Sequence, residues 1–145
     1  MTATSKFVFF IAVLLSTAAL AQNKIVVNIS NFESNKGVCI VCLYDNAKAF
    51  AGKGEPVKCT TVPVSNKTAN VSFENVTEGT YAISVIHDAN SNKKFDTNFL
   101  GIPTEGYGAS QNKLPFAAAP KFDANKFTVS ASSTTTSNIK LRYLF

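Results

Sequence analysis

Residues 80–110 read TYAISVIHDANSNKKFDTNFLGIPTEGYGAS. Over residues 80–87, Tyr81, Ile83 and Val85 fall on one face and Ala82, Ser84 and Ile86 on the other. That period of two is the pattern of a strand. His87 ends the Tyr81 face. The chain then turns polar and glycine-rich for about twenty residues and cannot be core. A strong strand feeding a long polar excursion points to a β domain that carries its function on a loop.

The rest of the chain supports strands. Residues 24–30 alternate, with Ile25, Val27 and Ile29 on one side. Residues 38–44 are almost continuously apolar and read as a central strand covered on both faces. Asp45 is placed to cap a short helical turn. Residues 57–64 and 68–73 are two more strands, the second with Ala69, Val71 and Phe73 inward. Residues 117–129 read as one broken or two short strands, residues 130–137 as a polar connection, and residues 138–145 as a last strand with Ile139, Leu141 and Tyr143 inward. About seven short strands with regular turn signals predict an all-β fold, a single antiparallel β-sandwich.

Residues 1–21 have one lysine, the apolar run FVFFIAVLL and then Ala19-Leu20-Ala21, the plan of a cleaved signal peptide. Residues 22–145 are then one exported domain, periplasmic or secreted, with no stable membrane span after cleavage. The chain has 14 basic and 9 acidic residues. One lysine lies in the leader, which leaves a dispersed +4 and argues against nucleic acid as a partner. Cys39, Cys42 and Cys59 remain. In a strand, Cys39 and Cys42 point to opposite faces, so C-x-x-C here is not a redox pair. A disulfide from Cys59 to either is open.

Asp88, Asn90, Asn92 and Asp96 occupy positions 1, 3, 5 and 9 of the excursion, and the Lys94 carbonyl stands at position 7. Oxygens at that spacing can converge on a hard cation, and Ca²⁺ is the candidate cofactor. Lys93 stands at position 6, where such a curl wants glycine, and Phe99 stands where a bidentate acid would. The competing reading is an Asx-rich turn that bonds its own backbone. His87, Glu105 and Tyr107 are candidate ligand-binding residues. Glu105 and Tyr107 read as a displayed acid and aromatic suited to a carbohydrate, a peptide or a protein partner. Glu105 could equally reach the Asp88 loop.

Gly79, Thr80, Tyr81, Ala82, Val85, His87, Asp88, Asn90, Asn92, Asp96 and Asn98 fit the pattern G-T-Y-A-x-x-V-x-H-D-x-N-x-N-x-x-x-D-x-N. Gly101, Ile102, Pro103, Glu105, Gly106, Tyr107 and Gly108 fit G-I-P-x-E-G-Y-G. The chain therefore resembles the bacterial proteins grouped as domain of unknown function 2141. Members usually carry glycine at the positions of Ser91 and Lys93. The resemblance implies a small exported β-sandwich, similar in outline to transthyretin-like domains, and implies no known activity. The first expectation is a non-catalytic binding module stiffened by Ca²⁺. The alternatives are a periplasmic hydrolase using His87, Asp88 and Glu105, and a small outer-membrane β-barrel suggested by the alternating C-terminus IKLRYLF.

Overall fold

The structure is a computed structural model that describes residues 22–145. The expected leader lies outside the described residues. The described residues form eight strands: β1 (Lys24–Ser30), β2 (Val38–Tyr44), β3 (Lys58–Pro63), β4 (Ala69–Glu74), β5 (Gly79–Asp88), β6 (Gly106–Ala109), β7 (Phe127–Val129) and β8 (Thr134–Lys140). One sheet has the order β4-β1-β8. The other has the order β3-β2-β5-β6, with β7 on the start of β5. The strands thus form two sheets facing across an apolar core, not one closed barrel sheet.

Alternation in the sequence becomes the inner faces of the sandwich. Ile25, Val27 and Ile29 of β1 and Ala69, Val71 and Phe73 of β4 meet Cys39, Val41 and Leu43 of β2 and Tyr81, Ile83 and Val85 of β5. Each strand sends every second side chain inward, and Val129 of β7, Ile139 of β8, Phe32, Val64 and Leu141 complete the interior. Every residue of the core cluster lies between Ile25 and Leu141.

Several expectations are corrected. The sandwich is not wholly antiparallel: β1 and β8 pair in parallel, from Lys24↔Thr134 to Ser30↔Lys140. The outer face of β2 is only half-buried. Its cover is partial, from an edge-to-face stack of Tyr44, Phe50 and Phe122. Asn46, not Asp45, caps the helical turn, accepting the Ala49 amide at 2.9 Å. Residues 117–129 give one short strand, β7, after a helical turn α1 (Phe122–Asn125). The fully buried Asn125 side chain holds this region. It accepts the Lys113 amide and donates to the Lys113 and Lys121 carbonyls. The polar connection over residues 130–137 already contains the first half of β8, where β-branched threonines suit a sheet edge.

The extra strand, β6, lies in the stretch expected to be loop. Its glycines leave no hydrophobic pattern to read, and packing explains them. A Cβ at Gly108 would lie 2.7 Å from Ile139 Cγ2, and one at Gly106 would strike the Tyr143 ring. Beyond β8, Leu141 still donates to the Ser30 carbonyl, and Arg142 then exchanges two backbone hydrogen bonds with Tyr107. The chain end thus crosses from one sheet to the edge of the other.

Cys42 and Cys59 face each other across β2 and β3 and form a disulfide, with 4.1 Å between Cα atoms. Cys39 is free and buried, and burial pushes its thiol up to about 12. It is therefore protonated near neutral pH and unreactive. Iodoacetamide should label nothing in the native protein and one thiol per chain in denaturant without reductant; mass spectrometry reads either result, and two or three labels would contradict the pairing. Replacing Cys42 and Cys59 together by alanine frees a sequence separation of 17. Urea unfolding should then show a loss of about 3 kcal/mol.

Candidate functional site

The end of β5 delivers two polar side chains into the protein. His87 is only 2 % exposed, and both its nitrogens are engaged. Nε2 lies 2.8 Å from the Lys36 carbonyl, and Nδ1 lies 2.8 Å from the Tyr143 hydroxyl. A carbonyl can only accept, so Nε2 carries the proton and Nδ1 accepts from Tyr143. Tyr143 in turn accepts the Glu33 amide at 3.2 Å. Burial raises the Tyr143 phenol, which keeps this donor protonated. The histidine is a cross-tie between the 33–36 turn, β5 and the chain end.

Asp88 is fully buried, and its two oxygens accept the amides of Asn92 and Lys93 at 3.0 and 2.8 Å. Glu105, also buried, bridges the amides of Ala89 and Asp96 at 3.3 and 3.1 Å. One carboxylate closes the curl from inside and the other ties both its ends to the start of β6. Within the curl, Asn90 and Asn92 each accept an amide two residues on, which makes two Asx turns. Their side-chain amides both donate to Asp96 Oδ2, at 2.8 and 2.7 Å. Side chains of Asn90, Asn92 and Asp96 thus converge at one point. Among the described residues, no three His, Cys, Asp or Glu side chains gather to hold a metal. Ser91 and Lys93 have φ of +58° and +62°, the left-handed region that favours glycine. The Lys94 side chain is exposed, and its amide closes the second Asx turn.

The same excursion builds a cleft. Residues 97–103 fold back on themselves: Thr97 bridges Pro103, and Asn98 Oδ1 accepts the amides of Leu100 and Ile102. That turn, Phe95, Tyr107, the segment 116–120 and the chain end Leu144-Phe145 enclose an open cavity of about 680 Å³. No charged side chain among the described residues lines it. Among the described residues, five of six exposed large apolar side chains stand in or beside it: Phe95, Phe99, Leu100, Phe116 and Phe145. Arg142 holds the far wall, donating to the Leu114 and Pro115 carbonyls. The volume falls within the ~300–1,000 Å³ range of small-molecule pockets, and the lining is mostly apolar, as theirs is.

Of the three expected ligand-binding residues, only Tyr107 lines the cleft. It does so from a strand, packed edge-on to Phe95. Glu105 is not displayed, because its carboxylate is turned in to bond the curl, so a carbohydrate site built on it loses its acid. The cleft residues Phe95, Leu100, Ile102 and Phe116 were missed. Their signal was in the sequence: large apolar residues recurring in stretches otherwise too polar for core.

The sequence model of one family, described as "Uncharacterized protein conserved in bacteria (DUF2141)", matches residues 27–137. No curated protein and no solved structure matches the chain.

Three substitutions test the curl and the cross-tie. Ser91→Gly and Lys93→Gly should each raise stability by about 0.5–1 kcal/mol, because each relieves a left-handed side chain. Tyr143→Phe should cost about 1–3 kcal/mol, because it leaves His87 Nδ1 buried without a donor. Urea midpoints measure all three, and an unchanged midpoint in Tyr143→Phe would remove the cross-tie from the account.

Proposed function

The chain belongs to the DUF2141 family of bacterial proteins, and from that premise we propose that it is an exported, non-catalytic β-sandwich that binds its partner through the apolar cleft. The cleft carries this reading: a built cavity of about 680 Å³ ringed by solvent-facing Phe and Leu side chains. An exposed apolar cluster costs solubility and is usually an interaction site. Export, to the periplasm or beyond, is supported by the leader-like residues 1–21 and by the Cys42–Cys59 disulfide, which suits an oxidising compartment. The hydrolase alternative has less support. His87, Asp88 and Glu105 are buried and bonded inward.

The proposal keeps a Ca²⁺ ion on the Asp88–Asp96 curl as a stiffener of one cleft wall. The donor chemistry fits a hard cation. The side-chain oxygens of Asp88, Asn90 and Asn92 that accept backbone amides each keep a further lone pair, and an ion would take over the Asp96 carboxylate from the Asn90 and Asn92 amide nitrogens that now donate to it. Held by two carboxylates and two amides, such an ion would bind weakly, in the millimolar range of extracellular modules.

Two measurements decide. N-phenyl-1-naphthylamine, a neutral apolar dye, should bind residues 22–145 saturably and brighten, and Leu100→Asp should weaken it at least tenfold; no saturable signal overturns the cleft reading. In a thermal melt, Ca²⁺ at about ten times its dissociation constant adds about 1.4 kcal/mol. That raises the midpoint by several degrees over EDTA, and Asp96→Ala should abolish the rise. A flat response up to about 10 mM Ca²⁺, ten times a millimolar dissociation constant, removes the ion.

A further inference from the structure

We propose that the cleft end of the sandwich docks on an anionic lipid bilayer, inserting the tips of its loops among the lipid headgroups. The proposal rests on the reading of the cleft as the binding surface and names its partner. Phe99 is 95 % exposed, Phe116 86 %, Phe145 76 % and Leu100 67 %. Single exposed apolar residues are ordinary, but Leu100, Phe116 and Phe145 come from three remote segments and meet at the cleft, with Phe99 next to Leu100 in the chain. Aromatic rings at a surface suit the headgroup layer, where one side is apolar and the other wet.

Over residues 89–121 the exposed charges share one sign, and the exposed Asp123 just beyond is paired with Lys126. In residues 89–121 the exposed ionised side chains are Lys93, Lys94, Lys113 and Lys121. The two acids of that stretch face inward: Glu105 is buried, and Asp96 is half-buried and takes both asparagine amides. Lys94 precedes Phe95, and Lys121 follows Pro120, both cleft residues; Lys113 and Lys121 line a smaller hollow beside the same segment. An apolar centre with a lysine rim fits acyl chains within anionic headgroups. A soluble anionic ligand would want its cation inside the cavity, where there is none. The loops are also preformed. Arg142 pins residues 114–115, Asn98 closes the 97–103 turn, and Glu105 ties Ala89 and Asp96 to the start of β6, so little ordering cost opposes insertion.

Sedimentation with vesicles tests this on residues 22–145. Binding should be seen with phosphatidylcholine mixed with phosphatidylglycerol and be at least tenfold weaker with phosphatidylcholine alone. It should fall steeply as salt is raised, as a screened attraction must. Phe99→Asp, at a side chain outside the cavity, should lose vesicles at least tenfold while keeping N-phenyl-1-naphthylamine. Lys93, Lys94, Lys113 and Lys121 changed together to glutamine should do the same, with an unchanged thermal midpoint as the folding control. Dye binding without vesicle binding overturns the bilayer and leaves the cleft reading standing; loss of both overturns both. Equal binding to the two vesicle types overturns the anionic preference. A concentration-dependent dimer abolished by Phe99→Asp, with no vesicle binding, assigns the surface to a second copy of the chain and overturns the proposal.

Discussion

Two carboxylates buried where β5 meets β6 govern the shape of this protein. A carboxylate removed from water is costly unless hydrogen bonds replace its hydration. Asp88 and Glu105 meet that demand by each taking two backbone amides of the excursion. The path of residues 89–105 follows: the curl must bring Asn92 and Lys93 over Asp88 and return Asp96 to Glu105. The anchored return then places Gly106 in register opposite His87 and starts β6. The cleft wall hangs from that anchor, so a polar interaction inside the protein determines an apolar surface outside it.

The opposite wall depends on the chain end. After Leu141 the backbone leaves the three-stranded sheet, and Arg142 pairs with Tyr107 across the gap. The Tyr143 hydroxyl then reaches His87 in the interior while Leu144 and Phe145 continue along the cleft. Gly106 and Gly108 are what allow this crossing, since the space of their missing side chains is filled by Tyr143 and Ile139. His87 joins these parts more as a keystone than as a reagent. A ring nitrogen bonded to a carbonyl has its proton fixed, and the other is fixed by the phenol.

Much of the sandwich was legible because its strands have one wet and one dry face. Residues 24–30 and 38–44 are strands with those bounds, and the inward set Ala69, Val71, Phe73 lies in the core. Legibility failed where packing was not encoded as alternation. β6 is all buried yet made of Gly, Tyr and Ala. β8 opens on threonines that look like linker. Asn125 replaces strand pairing with four side-chain hydrogen bonds, which no local pattern announces. The Asp/Asn spacing was readable as a curl, and both readings of it use the same oxygens. Glu105 was placed correctly as a neighbour of that curl but wrongly as a displayed acid. The partner of Cys59 needed the β2–β3 register, which sequence does not contain.

The parallel pairing of β1 with β8 joins strands about 110 residues apart. The three-stranded sheet has β1 at its centre, so half of its ladder stays unmade until the far end of the chain arrives. Contacts of such long range make folding slow, since loop closure must come first. The order of assembly is thereby constrained: local pairs such as β2–β3 and β4 with its neighbouring turn can form early, while the sandwich closes last. A chain built this way stays open until β8 is free to pair with β1, and only then locks.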